Sequence, residues 1–261
     1  MRRLLAVAFI LLPRVIWSYF AWIRRYARHP EKYPLEKRYA KARKLICYGL
    51  KIFKSDVKVY GLENIPNEVS CFYSNHVGAC DPLPFFYASE KPLAFVGKVE
   101  IKKMPFVGKI FAAIDSLFLD RSDLKQQLRV MMNVEKSLQE RKTSWVIYPE
   151  GTRNKDPNKQ MRDFHHGTFR AAVKANVPLV PVVEYGSFRL LKFKGTLKKY
   201  PTIIKFLPPI YPSEYVGLKN EEIAKMVQSR IQNELDYNIR KIDHEYMVKL
   251  KDKHYRSNKI Y

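Results

Sequence analysis

The stretch VSCFYSNHVGACDP, residues 69–82, decides how the fold of this 261-residue chain is interpreted. Its first six residues form a short apolar run that is typical of a buried β-strand. Directly after that run come an imidazole, a thiol and a carboxylate, carried by His76, Cys80 and Asp81. In α/β proteins, functional side chains gather in loops at the carboxyl ends of strands. The stretch therefore predicts a strand followed by a chemically active loop.

Similar runs recur along the chain from residue 57, separated by helical patterns. The predicted strands besides VSCFYS are VKVYG (57–61), LAFVG (93–97), SLFLD (116–120), SWVIYP (144–149), LVPVVEY (179–185) and TIIKFL (202–207). The predicted helices span residues 81–88, 101–114, 123–140 and 167–175, the third with Ser122 as its N-cap. This alternation predicts an α/β fold with a mixed, mostly parallel sheet flanked by helices. Later residues such as EEIAKMVQSRIQNEL predict a C-terminal helical tail.

The composition favours an anionic partner. The net charge is +23, and residues 1–60 hold 15 Lys and Arg against three acids. Such an excess favours nucleic acid, an anionic membrane or phosphorylated substrates. The three cysteines form neither a zinc-type CxxC pair nor an even set for disulfides, so a reducing compartment is expected.

The segment LLAVAFILLPRVIWSYFAWI, residues 4–23, is long enough to cross a bilayer, but Pro13 and Arg14 lie at its middle. We therefore expect two short amphipathic helices lying in the membrane interface, with a transmembrane anchor or a signal peptide as alternatives. The aromatic side chains expected at headgroup depth are Trp17, Tyr19 and Trp22, and the arginines expected to face phosphates are Arg24, Arg25 and Arg28.

A further helix is predicted over residues 35–54, where apolar residues recur at helical spacing and lysines share another face. That basic face is interpreted either as solvated or as adhering to anionic lipid. The chain is thus divided into membrane-associating helices, residues 1–54, and an α/β domain with its tail, residues 55–261.

Four motifs in order resemble the glycerolipid acyltransferases, most of all the bacterial 1-acyl-glycerol-3-phosphate acyltransferases. They are Asn75-His76 followed after four intervening residues by Asp81, FLDR (118–121), EGTR (150–153) and VPLVPVV (177–183). The resemblance covers roughly residues 55–210. It departs from the family pattern at Gly78, where Ser is frequent, and at Asp115, where Gly is usual.

The resemblance implies transfer of a fatty acyl group from a thioester to the sn-2 hydroxyl of lysophosphatidic acid, giving phosphatidic acid. His76 is the expected base, since an alcohol needs its proton removed during attack, and Asp81 is expected to orient the imidazole. No cofactor is expected beyond acyl-CoA or acyl carrier protein as co-substrate. The remaining residues expected to bind substrate are Lys98, Arg121, Glu150, Gly151, Thr152 and Arg153.

Several of these roles have alternatives. Glu150 either accepts from a glycerol hydroxyl or orients an arginine, and Arg121 either binds phosphate or pairs with Asp120. Cys80 is expected to be a bystander, because acyl transfer from one thioester to another gains little. The adjacent His165 and His166 are not expected to hold a metal.

At the level of the whole protein, the alternatives are an acyltransferase that uses glycerol-3-phosphate or another lysophospholipid, and a basic nucleic-acid-binding protein. No recognised nucleic-acid motif accompanies the charge. The expected location is the cytoplasmic face of the cell membrane, as a membrane-associated enzyme.

Overall fold

The computed structural model describes residues 7–191 and 199–250. The strands are β1 (Ser55–Tyr60), β2 (Cys71–Ser74), β3 (Leu93–Lys98), β4 (Leu117–Leu119), β5 (Ser144–Ile147), β6 (Leu179–Tyr185) and β7 (Tyr200–Phe206). They form one sheet in the order β1-β7-β6-β2-β5-β3-β4, and every neighbouring pair is parallel except β6 and β7. The predicted mixed, mostly parallel sheet is confirmed, and each of the seven predicted strands is present.

The α-helices are α1 (Leu12–Ser18), α2 (Arg24–Arg28), α3 (Leu35–Ile52), α4 (Pro82–Ala88), α5 (Val99–Lys102), α6 (Val107–Ala113), α7 (Leu124–Gln139), α8 (Arg170–Lys174), α9 (Pro212–Tyr215), α10 (Asn220–Glu234) and α11 (Arg240–Lys249). The helix predicted over residues 101–114 is two helices, because Pro105 lacks an amide hydrogen and disfavours the helical conformation of Met104. Asp123 caps α7, rather than the predicted Ser122, and its carboxylate accepts from the Gln126 amide at 3.0 Å.

Two apolar clusters cover the two faces of the sheet. Because side chains alternate along a strand, Cys71 and Tyr73 of β2 join one cluster and Phe72 joins the other. The first cluster includes buried residues of α7, α8 and α10, and the second includes residues of α3, α4 and α6. The sheet is thus held between two helical layers, and α10 packs on the body as the predicted tail.

The first described residues form one helical segment. A π-helical turn (Val7–Leu11), α1, a second π-helical turn (Tyr19–Ile23) and α2 follow one another without a break. We call this the N-terminal segment. The prediction of two separate helices at Pro13 is wrong, because the helical backbone continues through the proline, which stands at the second position of α1 directly after the π-helical turn. Residues 4–6 of the predicted apolar run lie outside the described residues.

The N-terminal segment has an exposed apolar side and a buried end. The exposed large apolar side chains of this segment are Phe9, Ile10, Leu12, Ile16, Trp17 and Phe20. Trp22 is 4% exposed and joins the core with Ile23 and Tyr26, so its predicted place at headgroup depth is wrong. Within the described residues, no helix combines the length and the apolar character that a membrane crossing requires.

A buried arginine fastens α3 to the α/β domain. The Arg38 guanidinium binds both carboxylate oxygens of Asp115, at 2.7 and 2.8 Å, and donates to the Ala113 carbonyl at 2.6 Å. Asp115 has a φ of +58°, in the left-handed region that favours glycine and tolerates Asp better than most residues. This accounts for one departure from the family motif, since an Asp there gains a bidentate ion pair that glycine cannot make.

Candidate active site

The predicted motifs meet at one edge of the sheet. Strands β2, β5, β3 and β4 are neighbours and parallel, so their carboxyl ends lie side by side. His76 follows β2, the EGTR motif follows β5, Lys98 ends β3, and Arg121 follows β4. Strand spacing is about 4.8 Å, which places Lys98 roughly 10 Å from the end of β2.

His76 and Asp81 are in contact. The His76 Nδ1 atom lies 2.7 Å from Asp81 Oδ2. The Oδ2 atom also accepts from the backbone amides of Val77 and Gly78, so it acts as an acceptor toward the ring and Nδ1 carries the proton. The His76 Nε2 atom, which makes no hydrogen bond within the described part of the chain, is left with its lone pair. This is the tautomer that a general base requires.

The Asp81 carboxylate is fully buried and has several donors. Its Oδ2 atom receives the amides of Val77 and Gly78 at 2.8 and 3.0 Å, besides the imidazole. Its Oδ1 atom accepts from the hydroxyl of Ser187, the second residue after β6. Burying a charge is costly unless donors replace the lost water, and here they do. The carboxylate is therefore fixed in position relative to His76.

Two polar side chains hold the backbone on either side of the ring. The Asn75 amide bonds both backbone groups of Glu184 in β6, each at 2.8 Å. Glu150 accepts from the His76 amide at 2.7 Å and from the Arg162 amide at 3.0 Å. Burial raises the pKa of the Glu150 carboxyl above its usual value. The predicted role of Glu150 in orienting an arginine side chain is wrong, since its partners are backbone amides.

A tyrosine and a buried glutamate complete the surroundings of the ring. The Tyr148 ring lies against His76, with centroids 4.5 Å apart and planes 30° apart. The Tyr148 hydroxyl donates to Glu184 Oε2 at 3.1 Å, and Ser74 donates to the same oxygen at 3.1 Å. Burial, and then the nearby Asp81 charge, raise the pKa of Glu184 well above its usual value. These surroundings favour the uncharged form of the Glu184 carboxyl.

The predicted substrate-binding residues lie along this edge, and the cations among them are exposed. Lys98 forms an ion pair with Glu100 at 2.5 Å. Arg121 and Arg153 form no ion pair with other described residues, and the Asp120 carboxylate bonds Ser122, so the predicted pairing of Arg121 with Asp120 is wrong. Thr152 is exposed beside Arg153. The binding of substrate by these residues stays a prediction.

Gly151 has a backbone conformation that favours glycine. Its φ is +66°, and a Cβ atom there would lie 2.8 Å from the His165 ring. The neighbouring His166 instead faces Glu221, at 3.2 Å. Among the described residues, no group of three His, Cys, Asp or Glu side chains is arranged to hold a metal ion.

Cys80 is buried beside the site. It is 8% exposed and packs with Leu50 and Leu190. Burial, and then the negative charge of Asp81, raise the pKa of its thiol to about 12. The thiolate is the nucleophilic form of cysteine, so the neutral Cys80 thiol is poorly suited to accept an acyl group.

Sequence reasoning missed Tyr148, Glu184 and Ser187. Glu184 gave a signal, because it is the one carboxylate in the apolar strand LVPVVEY. Ser187 gave none, because its partner Asp81 is 106 residues away.

The comparisons with known proteins agree with this geometry. A family model described as Acyltransferase matches residues 56–184. A probable 1-acyl-sn-glycerol-3-phosphate acyltransferase of Mycoplasma pneumoniae is 29% identical over 221 residues, covering 80% of this chain and 82% of that protein. The 1-acyl-sn-glycerol-3-phosphate acyltransferase of Borreliella burgdorferi is 25% identical over 197 residues, covering 73% and 76%.

The fold is also found in a solved structure. The crystal structure of the 1-acyl-sn-glycerophosphate (LPA) acyltransferase of Thermotoga maritima superposes with a TM-score of 0.67 at 22% identity, covering 90% of this chain and 95% of that one. The family match spans the strands and loops that carry His76, Asp81 and the EGTR motif. Residues 56–184 therefore form an acyltransferase domain.

Proposed function

We propose that this protein transfers a fatty acyl group from a thioester to the sn-2 hydroxyl of 1-acyl-glycerol-3-phosphate, forming phosphatidic acid. The observation that carries the proposal is the hydrogen bond between His76 and the buried Asp81, 2.7 Å long, in an acyltransferase domain. The acceptor is proposed from relatives named 1-acyl-sn-glycerol-3-phosphate acyltransferase.

The reaction follows from the protonation state of His76. Its Nε2 lone pair takes the proton from the acceptor hydroxyl as the oxygen attacks the thioester carbonyl. Asp81 accepts the Nδ1 hydrogen and stabilises the imidazolium that forms. The C–O bond forms, the C–S bond breaks, and the imidazolium returns the proton to the leaving thiolate. The proposed reaction therefore needs no cofactor besides the acyl-CoA or acyl carrier protein that donates the acyl group.

Exposed cations support a phosphorylated acceptor. Lys98, Arg121 and Arg153 each follow or end a strand at the edge that carries His76. An arginine fork binds phosphate through two parallel hydrogen bonds, and Lys adds a point charge. We assign the acceptor phosphate to these side chains, and the glycerol hydroxyl to His76 Nε2.

We also propose that the enzyme works on the anionic, cytoplasmic face of the cell membrane. A cleft of about 510 Å³ separates the N-terminal segment from α3. The cleft is lined by Arg14, Trp17, Ser18, Trp22, Lys41, Lys44, Leu45 and Tyr48. Three of these residues are cations and none is an acid. Together with the exposed apolar side chains of the N-terminal segment, this surface suits lipid phosphates beside acyl chains.

An acceptor panel tests the proposal. Purified full-length protein in anionic vesicles receives lysophosphatidic acid, glycerol-3-phosphate or lysophosphatidylcholine, each with acyl-CoA and with acyl carrier protein. We expect the highest kcat/KM with lysophosphatidic acid, and no product from the His76→Ala variant. Faster use of either other acceptor would assign a different substrate, and no transfer to any acceptor would reject the proposed reaction.

A further inference from the structure

One of the hydrogen bonds that hold the Asp81 carboxylate comes from a side chain far away in the sequence. The Asp81 Oδ1 atom accepts from the Ser187 hydroxyl, and Ser187 is 1% exposed. Gly186 brings Ser187 there by turning the chain with a φ of +89° directly after β6. A Cβ atom at Gly186 would lie 2.4 Å from the Pro201 carbonyl oxygen, so the turn requires glycine. The approach of Ser187 to Asp81 is thus built into the backbone.

We infer that Ser187 is a positioning residue for the catalytic pair, an inference that rests on the proposed function. A carboxylate has two equivalent oxygens and rotates about its Cβ–Cγ bond. The Ser187 hydroxyl binds Oδ1, which keeps Oδ2 toward the His76 ring and the two loop amides. A buried hydrogen bond to a charged group is among the stronger ones in proteins. Ser187 therefore acts on His76 through Asp81 and needs no contact with substrate.

Gly78 gives independent support, because it leaves the space that Ser187 uses. A Cβ atom at Gly78 would lie 2.8 Å from Ser187 Oγ, 3.0 Å from the Phe188 amide nitrogen and 3.1 Å from Asp81 Oδ1. Gly78 does not have a positive φ, so space rather than conformation requires glycine there. A hydroxyl attached at residue 78 and the hydroxyl at 187 would compete for the same place beside Asp81.

This competition accounts for the second departure from the family motif. Serine is frequent at the position of Gly78, and a serine there would bring its hydroxyl next to Asp81 Oδ1. In this chain the donor comes from the end of β6 instead, and position 78 is left without a side chain. The Ser187 hydroxyl thus takes the space beside Asp81 Oδ1 that a side chain at position 78 would enter.

The test moves the hydroxyl from one loop to the other. In the full-length protein, Ser187→Ala should lower kcat about 10-fold or more, as loss of a hydrogen bond to a buried charge does, with the KM for the acceptor nearly unchanged. Gly78→Ser alone should also impair the enzyme, because it crowds Ser187. Adding Gly78→Ser to Ser187→Ala should restore part of the lost kcat. Ser70→Ala, which removes another fully buried hydroxyl just before β2 and outside the site, is the matched control and should have a much smaller effect.

A second readout does not depend on turnover. The low-field proton resonance of His76 Nδ1–H reports the hydrogen bond to Asp81, and Ser187→Ala should weaken or shift it in the free protein while the melting temperature stays close to that of the parent. If the parent transfers no acyl group but this resonance changes, positioning by Ser187 holds and the proposed function fails. If kcat and the resonance are both unchanged in Ser187→Ala, the inference is overturned.

Discussion

The loop after β2 and the N-terminal segment place their side chains in opposite ways. In the loop, the Asp81 carboxylate is fully buried and is held by four donors. In the N-terminal segment, large apolar groups are exposed, with Phe9 at 74% and Phe20 at 69%. A buried polar group whose hydrogen bonds are all made is held in one geometry, as a catalytic group must be. Exposed apolar surface beside cations suits contact with a lipid interface.

The largest effect is expected where the buried network meets the reaction. His76→Ala removes the proposed base, and general-base catalysis typically contributes about 10²–10⁴-fold, so kcat should fall by that factor. Asp81→Asn replaces a carboxylate, which only accepts hydrogen bonds, by an amide that also donates. Its kcat should also fall well below that of the parent. Circular dichroism checks that both variants are folded. An active His76→Ala enzyme would show that the buried network serves stability alone.

The exposed side of the N-terminal segment should control membrane binding rather than chemistry. Replacing Trp17 and Phe20 together by Ser removes two large exposed aromatic side chains. Because burying such side chains in lipid contributes free energy to binding, partitioning onto anionic vesicles should fall about 10-fold or more. High salt alone should not release the parent protein, because apolar burial is little screened. Flotation with vesicles measures both effects.

The matched control removes exposed apolar surface elsewhere. Leu124 and Leu128 of α7 are 69% and 54% exposed. Replacing both by Ser should leave flotation unchanged if the N-terminal segment makes the contact. Equal losses in the two double variants would show that the N-terminal segment has no special part in binding.

Glu184 should make the stability of the buried network depend on pH. Its pKa is raised in the folded state, so the folded protein binds a proton that the unfolded chain releases above its ordinary value of 4.5. The free energy of unfolding should therefore decrease as pH rises from 4.5 toward the higher pKa of the folded state, by up to about 1.4 kcal/mol per pH unit from this group. Glu184→Gln carries no charge and should lose that part of the dependence.

Urea denaturation at four pH values measures this difference. Glu36→Gln, which removes an exposed carboxylate from α3, is the control and should follow the parent. If Glu184→Gln and the parent lose stability in parallel with pH, Glu184 is ionised in the folded state and the buried network holds two carboxylates.

The sequence predicted the parts of the fold and site that depend on neighbouring residues. Each strand was recognisable as a short β-rich run, and the contact of His76 with Asp81 follows from a loop that spans only five residues. The contact of Ser187 with Asp81 could not be predicted, because the two residues are 106 positions apart in the sequence. Trp22 was misplaced because an aromatic in an apolar helix packs equally well against protein or lipid, and only the tertiary contacts decide.

The smallest effect is expected at Cys80, which lies between the two catalytic residues in sequence. A covalent route would require its thiolate, but burial and the Asp81 charge raise the pKa of this thiol to about 12, so almost none is ionised at neutral pH. Cys80→Ala should keep kcat within about 2-fold of the parent and lose about 1 kcal/mol of stability from the small void. Cys71→Ala, which removes a second buried thiol with a pKa of about 12, is the control for that void. Intact mass spectrometry after mixing with acyl donor should find no acylated Cys80. An acylated Cys80 that passes its acyl group to added acceptor would replace direct attack by a two-step transfer, and the buried network around Asp81 would then have to activate a thiol instead of a substrate hydroxyl.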